Sequence, residues 1–134
     1  MCIRDRGGAF SGKDQTKVDR SAAYMARYLA KNIVASKITK KCLIQLSYAI
    51  GVSQPVSIYL KADKESDFNS EKLIKILTDN IDLSPGGIRK HLKLDRPIYT
   101  QTASYGHFGR KPCNETGCFS WEKVDFSSEI LSNF

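Results

Sequence analysis

Gly7-Gly8-Ala9-Phe10-Ser11-Gly12-Lys13-Asp14 is the stretch whose residue types and spacing could do chemistry. Three glycines in six residues disfavour a long helix or strand and leave backbone N–H groups open, and Lys13 follows as a cation. The spacing G-x-x-x-x-G-K is that of a phosphate-binding P-loop, in which backbone N–H groups and a lysine hold phosphates. A P-loop then needs Ser or Thr to ligate magnesium, whereas here Asp14 places a carboxylate, and no strand precedes the glycines. A glycine turn entering a helix, with Asp14 as its cap, explains the glycines. It does not explain why Lys13, Lys17 and Arg20 crowd a helix N-terminus, where the dipole disfavours cations. An anionic ligand would offset that placement, so phosphate contact is the better reading.

Other conspicuous residues carry less. His107, in Tyr105-Gly106-His107-Phe108-Gly109-Arg110, has no catalytic partner nearby in sequence and reads as a packed structural residue, as do Tyr105 and Arg110. Trp121 is expected to pin the tail to the body, since large aromatics bury far more readily than they catalyse. Cys113 and Cys118 are spaced C-x4-C beside Pro112 and Gly117. A zinc site would need two more ligands and His107 is the only close candidate, so the pair reads as two inert, reduced loop thiols.

These groups need elements to position them. Val18, Ala22, Met25, Leu29 and Ile33 recur at steps of three and four, predicting a helix from about Asp14 or Thr16 to Ser36. Alternation of Cys42, Ile44, Leu46, Tyr48 and Ile50, then of Val56, Ile58 and Leu60, predicts two strands joined as an antiparallel hairpin through Gly51 to Pro55. Asn69 or Ser70 can cap a second helix with Leu73, Ile74, Ile76, Leu77 and Ile81 as its buried stripe. Ser84-Pro85 starts a short third helix anchored by Ile88 and Leu92. Pro97 to Thr100 is expected to add a brief strand, and from Lys111 periodicity is lost. The predicted class is α+β, a mainly antiparallel sheet with helices on one face.

The chain has 134 residues, 41% of them hydrophobic and 26% charged, which suits one globular domain rather than a disordered chain. Twenty-one Lys and Arg against fourteen Asp and Glu give a net charge of +7, favouring phosphate-bearing partners without naming them. No arginine-rich run or zinc-finger spacing supports nucleic acid binding. No apolar run is long enough to span a membrane and no signal-peptide pattern opens the chain, so a soluble cytoplasmic protein is expected.

Gly7 to Tyr28, GGAFSGKDQTKVDRSAAYMARY, resembles the glycine-rich signature of S-adenosylmethionine synthetases (methionine adenosyltransferases). LSYAIGVSQPVSI, DLSPGGI, RPIYTQTASYGHFGR and WEK follow in the family's order. The resemblance covers about Gly7 to Lys123 and only about the last third of a family member. It implies the last of three similar α+β domains packed around a pseudo-threefold axis, with a partner strand of the preceding domain missing here. It implies that methionine sulfur attacks C5′ of ATP and that the triphosphate leaves and is cleaved to pyrophosphate and phosphate. By matching positions, Ala9 and Lys13 would contact ATP, Lys13 through the phosphates as the catalytic cation. Lys17 would lie at the methionine end and Asp19 would ligand magnesium. Potassium is also implied, with no matching ligand in this chain, as is a homodimer or homotetramer of the full-length protein.

Lys17 and Asp19 lie roughly 200° apart on a regular helix. Either the helix begins nearer Ser21 or the site sits between two subunits. The signature has glycine where Arg6 stands, so residues 1–6 read as a non-native leader and 7–134 as the domain. Lys111 to Phe119 reads as an insertion relative to the family. An incomplete set of site groups makes the chain alone an expected inactive fragment; a non-catalytic assembly fragment or a nucleoside-triphosphate-binding module are the alternatives.

Overall fold

A computed structural model describes residues 17–63, 69–103, 106–113 and 117–133. Helix α1, Val18–Ala35, forms on an Ala-rich sequence and buries Tyr24, Met25, Leu29 and Ile33 completely. It starts later than its periodicity suggests, because Lys17 has extended backbone angles (φ −83°, ψ 126°) and serves as N-cap. The helix ends where the Ser36 hydroxyl donates to the Ile33 carbonyl and Lys37 takes a left-handed conformation (φ 64°), its N–H closing back on Val34.

Strands β1 (Cys42–Ser47) and β2 (Ser57–Ala62) pair antiparallel, with Cys42 opposite Ala62 and Ser47 opposite Ser57. That register puts Cys42, Ile44 and Leu46 on one face with Ala62, Leu60 and Ile58, where α1 packs on β1. The alternation predicted to reach Ile50 stops at Ser47. The chain turns there through a Val52 N–H to Ala49 carbonyl bond and a left-handed Gly51, leaving Ile50 fully exposed, while Tyr48 turns to donate its hydroxyl to the Leu83 carbonyl at 2.6 Å.

Helix α2, Ser70–Asn80, is capped by Asn69, whose side chain accepts from the Lys72 N–H at 3.1 Å; Leu73, Ile76 and Leu77 form its buried side against β2. Helix α3, Pro85–His91, is capped by Ser84, which accepts from the Gly87 N–H. A Cβ at Gly87 would collide with the Asp82 side chain, which explains that glycine. Thus an α+β layer is present, with helices over one face of an antiparallel pair.

Two further expectations are corrected, the strand at Pro97 to Thr100 and the separate thiols at Cys113 and Cys118. Pro97 to Thr100 forms no strand: Pro97 offers no N–H to a ladder, the Ile98 N–H closes locally on the Arg96 carbonyl, and a 3-10 turn follows at Thr100–Ala103. The tail, which has no clear period in sequence, forms a 3-10 turn at Ser120–Glu122 and helix α4, Ser127–Asn133, with Trp121 and Ile130 fully buried. Cys113 and Cys118 are not separate thiols but a disulfide, brought to a Cα separation of 5.1 Å by left-handed Gly117 and Phe119 and by a bond from the Cys113 N–H to the Cys118 carbonyl.

Candidate functional site at the start of α1

The first turn of α1 places the two described site candidates. Lys17 is exposed, and its carbonyl accepts from the Arg20 and Ser21 N–H groups and from the Ser21 hydroxyl, which starts the helix without a side-chain cap. Since Lys17 stands outside the helix, the angular separation expected on a helical wheel does not constrain it against Asp19. Asp19 is exposed in the first turn, where the helix dipole favours a carboxylate. It lines a cavity of about 370 Å³ together with the small side chains Ala22, Ala23 and Ala26 and with Ile44 and Leu46 of β1. Ala9 and Lys13 lie outside the described residues.

Behind this turn lies a buried polar chain. Arg20, only 4% exposed, donates from Nε to the Tyr24 oxygen at 3.2 Å and from Nη2 to Thr102 Oγ1 at 3.3 Å, with its guanidinium 4.1 Å from the Tyr99 ring centre. Burial pushes the Tyr24 hydroxyl up, against the opposing pull of Arg20. The same hydroxyl shares a hydrogen bond with His107 Nδ1 at 2.8 Å. Burial, and then the charge of Arg20, hold His107 below the ordinary imidazole value, which favours the neutral ring.

The tail grips α1 through three further groups. Trp121 stacks on Tyr24 with ring centres 3.7 Å apart and donates Nε1–H to the His107 carbonyl at 2.7 Å. Asn32 donates to the Tyr28 and Lys123 carbonyls and accepts from the Phe126 N–H. The carboxylate of Glu122, wholly buried, accepts from Arg27, from Lys31 at 2.6 Å and from the Gly109 N–H at 2.8 Å. Burial alone would raise its pKa, but those hydrogen bonds and the Arg27 charge outweigh burial and hold it below the usual carboxylate range. Sequence reasoning missed Tyr24, Asn32 and Glu122. The signals were present in SAAYMARY and WEK, but their partners lie more than 80 residues away in sequence.

Among the described residues no group of three or more His, Cys, Asp or Glu could hold a metal ion. Asp19 offers one exposed carboxylate, a single potential ligand rather than a closed protein cage.

The fold and this helix-start site define a domain of the α+β class with a long helix laid across an antiparallel pair. The family model described as "S-adenosylmethionine synthetase, C-terminal domain" matches residues 1–123, and the chain belongs to that family. It is 57% identical over 128 residues to S-adenosylmethionine synthase 2 of Rhodospirillum rubrum, covering 96% of this chain and 33% of that protein. Against S-adenosylmethionine synthase of Rhodospirillum centenum the identity is 62% with the same coverage. A solved S-adenosylmethionine synthetase from Campylobacter jejuni superposes with a TM-score of 0.84 at 40% identity, over 94% of this chain and 32% of that one. The chain spans about a third of the length of the relatives it matches.

Proposed function

We propose that this domain contributes to an enzyme that forms S-adenosylmethionine from ATP and L-methionine, releasing phosphate and pyrophosphate. The observation that carries the reading is identity of 57% and 62% to the two synthases over 96% of the chain, a span that includes the whole of α1.

Triphosphate is a poor leaving group unless cations meet its charge. Lys13 is assigned to the phosphates as the catalytic cation, Ala9 to ATP contact through the glycine loop, and Lys17 to the methionine end. Asp19 is assigned one ligand position on magnesium, which when bound supplies positive charge to the phosphate oxygens. The extended backbone at Lys17 and the exposed Asp19 in the first turn of α1 support those assignments. Potassium, a homodimer or homotetramer and a cytoplasmic location belong to the same reading. No helix among the described residues is long and apolar enough to cross a membrane.

The chain alone carries an incomplete set of groups and is expected to be inactive, because displacement needs several groups fixed around two substrates at once. Purified chain would be incubated with ATP, methionine, magnesium and potassium, and the product sought by mass spectrometry, with and without the upstream two-thirds of the Rhodospirillum rubrum relative. Product only in the complemented sample is expected. Turnover by the chain alone would overturn the placement of the catalytic groups, and ATP retention without turnover in either sample would favour a nucleotide-binding module.

A further inference from the structure

We propose that Cys113 and Cys118 form a reversible thiol–disulfide site, with Cys113 as the sulfur that exchanges with small thiols and Cys118 as its buried resolving partner. The inference stands on the disulfide and its surroundings and does not depend on the reaction proposed above.

Accessibility separates the two sulfurs. Cys118 is fully buried among the core residues, whereas Cys113 is only half-buried where it packs against them. An incoming thiolate must approach a disulfide along the S–S axis, so exposure decides which sulfur it meets. The fold also keeps the pair together without the sulfur bond. The Cys113 N–H donates to the Cys118 carbonyl at 3.0 Å, and the Ser120 hydroxyl ties the following turn to the Leu92 carbonyl. Reduction therefore leaves two thiols side by side, and re-oxidation is an intramolecular step.

Positive charge surrounds the buried sulfur's neighbours. The Arg96 guanidinium packs against Gly117, where a Cβ would come within 2.6 Å of Nη1, and the Arg110 guanidinium lies 4.6 Å from the Phe119 ring centre. Cys42, a half-buried strand residue outside the pair, is a free thiol and serves as the internal reference.

The exchange balances with a monothiol such as glutathione. Its thiolate attacks Cys113 Sγ, a mixed disulfide forms there, and the Cys113–Cys118 bond breaks with its electron pair passing to Cys118 Sγ, which takes a proton from solvent. A second thiolate attacks the outer sulfur of the mixed disulfide, releasing glutathione disulfide and the Cys113 thiolate, which is protonated in turn. The protein disulfide gains two electrons and two glutathione molecules lose them; glutathione disulfide drives the reverse.

The test equilibrates the whole chain across ratios of glutathione to glutathione disulfide, quenches with acid, and maps each cysteine by differential alkylation and mass spectrometry. The pair is expected to pass from dithiol to disulfide within that range while Cys42 remains a thiol. Any mixed disulfide should sit on Cys113. Cys118→Ala should accumulate glutathione on Cys113, while Cys118 in Cys113→Ala should react at least about tenfold more slowly when native and at the Cys113 rate in denaturant. The wild-type titration needs no variant to fold. A pair that stays dithiol or stays disulfide across the whole range would overturn reversibility, and native Cys118 reacting as fast as Cys113 would overturn the assignment of roles.

Discussion

Replacing Glu122 by Gln should cost about 2–3 kcal/mol, and the figure follows from the three groups around the carboxylate. Arg27 meets it with two bonds of 3.1 and 3.3 Å, Lys31 with one of 2.6 Å, and the Gly109 N–H with one of 2.8 Å. Gln keeps one acceptor oxygen for Gly109 or Arg27 but turns an NH2 toward cationic donors. Breaking a buried pair by removing one partner costs about 3–5 kcal/mol. Here the cations are 38% and 34% exposed and regain water, which discounts the loss to about 2–3 kcal/mol. For a chain of this length that lowers Tm by about 6–12 °C, read by calorimetry and checked by urea unfolding. The pH dependence has a definite sign. The folded carboxylate titrates below its ordinary 4.5, so its contribution is present above that value and is lost as pH falls through the folded pKa. The gap between wild type and Glu122→Gln should therefore be full at neutral pH and shrink in acid. A gap under about 0.5 kcal/mol at pH 7, within the range of ordinary surface substitutions, or one that stays constant down to acid, would refute the role assigned to Glu122.

Asn32→Leu should cost about 2–3 kcal/mol, because it strands the buried Phe126 N–H, and amide exchange should accelerate selectively over 123–133. His107, held below 6.5, should show an NMR midpoint under that value; the unfolded ring binds protons first, so its contribution is full above 6.5 and falls as pH drops through that value toward the folded pKa. In the protein completed by its upstream segment, Lys13→Ala should lower turnover at least about tenfold, roughly 1.4 kcal/mol, and wild-type turnover would remove it from the site. Asp19→Asn should weaken magnesium dependence in the same assay, and an unchanged magnesium titration would contradict its assignment.

Local physics was legible in the sequence where one residue answers to its neighbours. Met25, Leu29 and Ile33 mark the buried stripe of α1, and Asn69 and Ser84 cap α2 and α3 through their own side chains. Legibility failed where a distant group decides. Ile50 continues an alternating pattern, but the ladder ends at Ser47 because Tyr48 is taken by Leu83, 35 residues on. The tail has no period because its elements are a three-residue 3-10 turn and a seven-residue helix, held by single anchors such as Trp121 and Ile130. The disulfide needs two backbone conformations with φ above zero, one of them at Phe119, a residue that gives no local hint of it. For the site, the sequence located the helix start to within a few residues but not the extended Lys17 backbone that separates it from the helical wheel.

The arrangement assigns the tail a mechanical part. Helix α1 has Lys17 and Asp19 at one end; it packs on β1 and α3, and most of its long-range side-chain hydrogen bonds go to residues after Thr102. Trp121 and His107 hold Tyr24 on the second turn, Glu122 holds Arg27 and Lys31, and Asn32 receives Phe126 near the last turn. Those contacts fall at three heights along the 18-residue helix and act together with its packing on β1 and α3 to hold it in place. Reaction rates in positioned sites fall steeply with small displacements of the groups involved. A tail substitution that leaves the fold intact but loosens one of those three contacts should therefore act at the opposite end of the helix.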